Sequence, residues 1–192
     1  LVVTLSFQEQ TVRYLRGRFG GRRQEASPKR GAPERLTFDY EGSPLLVSVA
    51  RLGPGRLRVV VDASSVLPQE IEIRSETAWS PFWPVLLGPD VQVGDVLFDD
   101  AVQLWGQDRS VLRVLSPESL DRIRSLCESR ALRLTRGILS CEVVSSGLGG
   151  SGVVEAEELV LLAGGFCRRS VPTAEVEVLR QHALDPTAPV EF

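Results

Sequence analysis

The chain has 192 residues, 43% apolar and 24% charged, which is enough to bury a core and ordinary for one globular domain. A net charge of −3 excludes a global basic field of the kind that gathers nucleic acid, so nucleic acid is disfavoured as a partner. No window approaches the roughly 20 consecutive apolar residues that a bilayer crossing needs.

The cations are almost all arginine, Lys29 is the single lysine, and Asn and Met do not occur. These missing or rare residues have AT-rich codons, which points to a high-GC, bacterial genome. The sequence opens on "LVVTLSF". That run reads either as the end of a longer apolar segment or as the start of a helix that packs on the domain. Over residues 1–19, Leu1, Leu5, Val12, Leu15 and Phe19 recur near helical spacing, which predicts an N-terminal amphipathic helix closed by Gly20-Gly21. Residues 20–34 are rich in Gly, Pro and charge and read as a polar linker.

This end of the chain holds the one charge block. Arg13, Arg16, Arg18, Arg22, Arg23, Lys29 and Arg30 stand against Glu25 alone. Such a block suits an acidic protein partner or an anionic membrane surface. Were an apolar segment to precede Leu1, the block would mark a cytoplasmic, membrane-tethered domain by the positive-inside rule. Arg16, Arg22 and Arg23 are therefore candidate partner-binding residues.

A domain is expected over residues 35–170. "RLTFDY", "PLLVSVARL" and "RLRVVVDAS" are strands split by "EGSP" and "GPG", the pattern of antiparallel hairpins. "QEIEIRSE" alternates, with Ile71 and Ile73 on one face and Glu70, Glu72 and Arg74 on the other, which predicts a strand with one wet face. "TAWSPFWPVLLGPDVQVGD" has too many prolines for a central strand and reads as a long loop. Its Trp79, Phe82 and Trp83 are stiffly held aromatics and candidate partner contacts.

"VGDVLFDDAVQLWG" places Asp95, Asp99 and Asp100 within six residues. A metal or acid/base site needs converging carboxylates, whereas neighbours on a strand point apart. The stretch reads as a turn leading into a strand, with Asp95 and Asp99 bonding backbone N–H groups. The alternative is a ligand-binding, metal-binding or enzymatic site using Asp95 and Asp99. Further on, Ser116 before Pro117 starts a helix whose buried stripe is Leu120, Ile123, Leu126 and Cys127. "ALRLTRGILSCEVV" is a hairpin around Arg136-Gly137, and "VVEAEELVLLAGGFCRRS" is a helix.

Gly147, Gly149 and Gly152 match G-x-G-x-x-G. The preceding strand belongs to a hairpin, however, and Glu155, Glu157 and Glu158 at the next helix would repel a phosphate, so no nucleotide site is expected. Those glutamates read as complements to the helix dipole. Cys127, Cys141 and Cys167 are too widely spaced for a zinc site or a disulfide framework and read as buried apolar groups. His182 is the only histidine and lies in a polar tail, residues 171–192, where "EVEVL" makes Val176 and Val178 candidate partner contacts. No catalytic residue, metal ligand or cofactor site is assigned.

These elements predict an α+β fold: an antiparallel or mixed sheet of hairpins with helices packed on one face. A helix and a hairpin in each half hint at duplication. The chain also resembles a widespread bacterial α+β domain in which a helix and meander precede "GDxxFD", a strand, an "LSPExxxRIxxL" helix, a hairpin and a final helix. Gly94, Asp95, Phe98 and Asp99, then Leu115, Ser116, Pro117 and Glu118, carry the likeness. The resemblance spans most of residues 1–170 and implies an architecture but no activity. Together with the arginine block, the aromatic loop and the tail, these observations lead to the expectation of a non-enzymatic interaction or assembly domain, with a protein partner or a second copy of the chain.

Overall fold

The computed structural model describes residues 6–24, 32–40, 43–64, 67, 71–75, 90–106, 115–129, 132–145 and 151–170. Helix α1 (Phe7–Phe19) begins with a reciprocal cap: the Ser6 hydroxyl accepts the Glu9 N–H, and the Glu9 carboxylate accepts the Ser6 N–H at 2.8 Å. It ends at Gly20, whose φ of 68° lies in the left-handed region and whose N–H bonds the Arg16 carbonyl. Thr11, Val12 and Leu15 form its buried stripe.

The chain then runs through β1 (Arg22–Arg23), β2 (Glu34–Tyr40), β3 (Ser43–Gly53), β4 (Arg56–Asp62) and β5 (Glu72–Ser75). Helix α2 (Val96–Ala101) leads directly into β6 (Val102–Trp105). Helix α3 (Pro117–Ser129), the hairpin β7 (Arg133–Thr135) and β8 (Ile138–Val144), and helix α4 (Ser151–Ser170) complete the order. The segment expected to be a linker thus supplies an edge strand, with Arg22 opposite Thr37 and Arg23 opposite Leu36.

The eight strands among the described residues form one sheet, in the order β1-β2-β3-β4-β8-β7-β5-β6, and each of their pairings is antiparallel. The α+β class holds, and of the two sheet types left open the antiparallel one is observed. The C-terminal hairpin inserts beside β4, which places β5 and β6 beyond it. Both turn residues of that hairpin, Arg136 and Gly137, have positive φ (52° and 75°), the geometry that matches strand twist in a two-residue turn.

Alternation sorts the central strands. Leu57, Val59 and Val61 of β4 and Leu139, Cys141 and Val143 of β8 are buried. On the other face Arg56 and Arg58 reach across to Glu142 at 2.6 and 3.1 Å. Strand β5 departs from the expected wet face. Arg74 is only 6% exposed, because β5 lies between β7 and β6 and the guanidinium meets Glu72 at 2.8 Å and the Trp105 ring at 5.7 Å.

Helix α4 packs Ala156, Leu159, Leu162 and Phe166 into the core and contacts β8, β3, β4, α1 and α3. It starts at Ser151, so Glu155, Glu157 and Glu158 lie past its first turn, and the helix-dipole explanation gives way to a tertiary one. Glu157 accepts from Tyr14 and from Arg18 of α1, and Glu158 pairs with Arg122 of α3. Gly152 sits in the first turn, where a Cβ would lie 2.6 Å from Phe7 and 2.9 Å from the Val144 carbonyl. Close helix–strand packing accounts for this glycine. Gly147 and Gly149 lie outside the described residues.

Candidate functional site

The acidic stretch folds as two interlocked caps. Asp95 Oδ1 accepts the N–H groups of Leu97 and Phe98 at 3.0 and 3.2 Å, which caps α2. The Asp99 carboxylate reaches back to the Val93 and Gly94 N–H groups at 3.0 and 3.1 Å. Both aspartates thus bind backbone donors, Asp95 those of the first helical turn and Asp99 those of the turn before it, and the stretch between them is a helix where a turn and strand were expected. Asp100 is exposed. Just upstream, Asp90 Oδ1 accepts the Leu104 N–H at 2.6 Å while Val91 donates to the Leu104 carbonyl, so the outer edge of β6 is covered at that residue.

These caps fix the orientation of α2. Phe98 is buried in the core, and a helix turns about 100° per residue. Val96 and Leu97 therefore point outward, 72% and 68% exposed. They are the most exposed large apolar side chains among the described residues. The signal was present in the sequence: apolar residues in the first two helical positions after a capping Asp, followed by an inward Phe.

At the opposite edge of the sheet, α1 and the strands β1 and β2 frame a groove of about 300 Å³. Glu9, Val12, Arg13 and Arg16 line it from the helix, and Arg23 and Glu34 from the strands. Arg23 pairs with Glu34 at 2.7 Å. Among the described residues Arg13, Arg16 and Arg22 have no ion-pair partner. Of the expected contact residues, the structure therefore unites Arg16 with Arg23. Strand alternation turns Arg22 to the other face. Arg13, part of the arginine block but not among the expected contact residues, joins the groove because it lies three residues before Arg16 on the same helix face.

A second cleft, of about 470 Å³, lies between α3 and α4 and includes Ser116, Ser119, Arg122 and Arg168. Its polar groups are engaged in structure. Ser116 caps α3 by accepting the Ser119 N–H at 3.1 Å, Arg122 pairs with Glu118 and Glu158, and Arg168 stacks over Tyr40.

All three cysteines are free and buried. Burial pushes the Cys127 thiol up to about 12 and the Cys167 thiol up to about 11. Among the described residues no cluster of His, Cys, Asp and Glu could hold a metal ion, and no helix is long and apolar enough to cross a membrane. Trp79, Phe82, Trp83, Val176, Val178 and His182 lie outside the described residues. No family model, curated protein or solved structure matches the chain.

Proposed function

We propose that the chain is a non-enzymatic assembly domain, a subunit of a larger bacterial complex. The observation that supports this reading is the outward display of Val96 and Leu97 on a short helix that two aspartates hold in place. A preorganised apolar pair loses little conformational freedom on docking, and each side chain contributes about 1.5–3 kcal/mol when fully buried. The groups that would otherwise serve chemistry here are committed to structure: Asp95 and Asp99 to backbone donors, Cys127 and Cys167 to the core.

The test is cross-linked co-purification from the native host with wild type and Val96→Ser/Leu97→Ser. A chain, foreign or identical, recovered with wild type and lost with the variant supports the reading. Equal recovery from both, or a chain that crosses to nothing, overturns it.

A second reading attaches the domain to an anionic, cytoplasmic membrane surface. It is favoured by Arg13, Arg16 and Arg22, which are exposed and have no ion-pair partner among the described residues. Flotation with phosphatidylserine vesicles that falls steeply with salt and with Arg13→Glu/Arg16→Glu supports it. Equal recovery on neutral vesicles removes it.

A further inference from the structure

The two outward features are complementary to each other. Residues 90–106 carry Asp90, Asp95, Asp99 and Asp100 and no cation, a net −4. Residues 6–24 carry Arg13, Arg16, Arg18, Arg22 and Arg23 against Glu9, five positive less one negative, a net +4. The acidic stretch surrounds an apolar projection, Val96 and Leu97. Of the basic stretch, Arg13, Arg16 and Arg23, with Glu9, line a groove that Val12 helps to form. Glu34 joins the lining as the partner of Arg23, so Arg13 and Arg16 are the groove's cations without an ion-pair partner among the described residues.

Their places in the fold keep them apart within one molecule. Helix α2 leads straight into β6, the last strand at one edge of the sheet. Helix α1 leads through Gly20-Gly21 into β1, the last strand at the other. Six strands lie between these two edge strands, with neighbours spaced about 4.8 Å apart.

We infer that the occupant of the α1–β1 groove is a second copy of this chain, which inserts Val96 and Leu97 beside Val12 with its aspartates facing Arg13 and Arg16. This rests on the assembly reading and names its partner. Burial of the aliphatic pair holds the contact, while the opposed charges steer the approach and set its register. The contact is head-to-tail, so a pair of copies keeps one projection and one groove free and the assembly grows by addition. Exposed charges are screened within about 8 Å at physiological salt, so added salt weakens it.

Sedimentation of the full chain at rising concentration, in low salt, tests this. The average mass of wild type at least doubles and continues upward, and high salt returns it toward the monomer. Arg13→Glu/Arg16→Glu and Val96→Ser/Leu97→Ser each remain monomeric with unchanged circular dichroism. Mixed in equal amounts, they form a dimer and go no further, because only one working projection and one working groove remain. The milder Arg13→Gln/Arg16→Gln weakens assembly if the reversal variant fails to fold. A wild type that stays monomeric at every concentration, or a mixture that does not pair, overturns the inference. A monomeric wild type that still captures a foreign protein through Val96 and Leu97 overturns self-assembly while leaving the assembly domain standing.

Discussion

Asp99 holds Gly94 in place: its Oδ2 accepts the Gly94 N–H at 3.1 Å while Oδ1 takes the N–H of Val93. Gly94 has a φ of 84°, so the clamp closes over a left-handed step that only glycine takes freely. Asp99→Ala leaves two backbone donors without this acceptor, at one half-buried and one exposed position. The expected cost is about 1–3 kcal/mol in urea denaturation, nearer the low end because water reaches Gly94. Asp99→Asn keeps a carbonyl acceptor and costs less. Divalent cations should leave the thermal midpoint of wild type unmoved. A rise that vanishes in Asp99→Ala would instead make the pair of aspartates a metal site.

Acid should loosen the packing of α1 on α4. The Tyr14 hydroxyl first, and the Arg18 guanidinium second, hold the Glu157 carboxyl below its ordinary range. Arg58 and Arg56 do the same for Glu142 between β4 and β8. A carboxyl whose pKa is lowered by folding stabilises the fold above its unfolded pKa, and that contribution disappears as pH falls through the folded value. Stability should therefore decline below about pH 4.3, the ordinary glutamate value. Glu157→Gln should be less stable than wild type at neutral pH and should show a shallower decline in acid. Parallel acid limbs for the two proteins would mean that Glu157 is not held as described.

The thiols should be silent in the folded chain. Cys127, Cys141 and Cys167 are all buried, and the thiolate forms of Cys127 and Cys167 are disfavoured by desolvation. With a thiol-specific reagent at neutral pH, labelling should wait for unfolding, and denaturant should then release all three groups together. Fast labelling of one cysteine in native protein would expose a reactive site that this packing denies.

Local chemistry made much of the fold readable. Gly20, Ser116-Pro117 and Arg136-Gly137 end or begin their elements by caps and turns that need no partner, and the strand expected over "RLRVVVDAS" forms as β4. Tertiary choices were not readable. Nothing local says that the β7–β8 hairpin joins β4, and that choice buries Arg74 by placing β5 inside the sheet. Helix α2 was hidden because Val96 and Phe98 alternate like a strand, whereas the Asp95 cap decides for one turn of helix. The arginine block was visible as charge. Its division into a groove set, Arg13, Arg16 and Arg23, and an outlier, Arg22, follows only once β1 exists as a strand.

Two glycines, both inside helices, should respond to the same substitution with opposite signs. In α1, Gly17 is exposed, and a Cβ added there meets nothing within 4 Å. Gly17→Ala removes the conformational cost of a helical glycine and should stabilise the chain by about 0.5–1 kcal/mol. In α4, Gly152→Ala gains the same propensity but drives its methyl to 2.6 Å from the Phe7 ring, 2.7 Å from Val143 and 2.9 Å from the Val144 carbonyl. Phe7 can give way, but the Val144 carbonyl belongs to β8, where Val144 is registered against Arg56 of β4. Overpacking of this kind costs about 1–3 kcal/mol, more than the propensity returns. Gly152→Ala should therefore be net destabilising in the same urea titration that shows Gly17→Ala shifted upward. If Gly152→Ala is neutral or stabilising, α4 does not press on β8 at this point, and the third glycine of the G-x-G-x-x-G match loses its packing explanation.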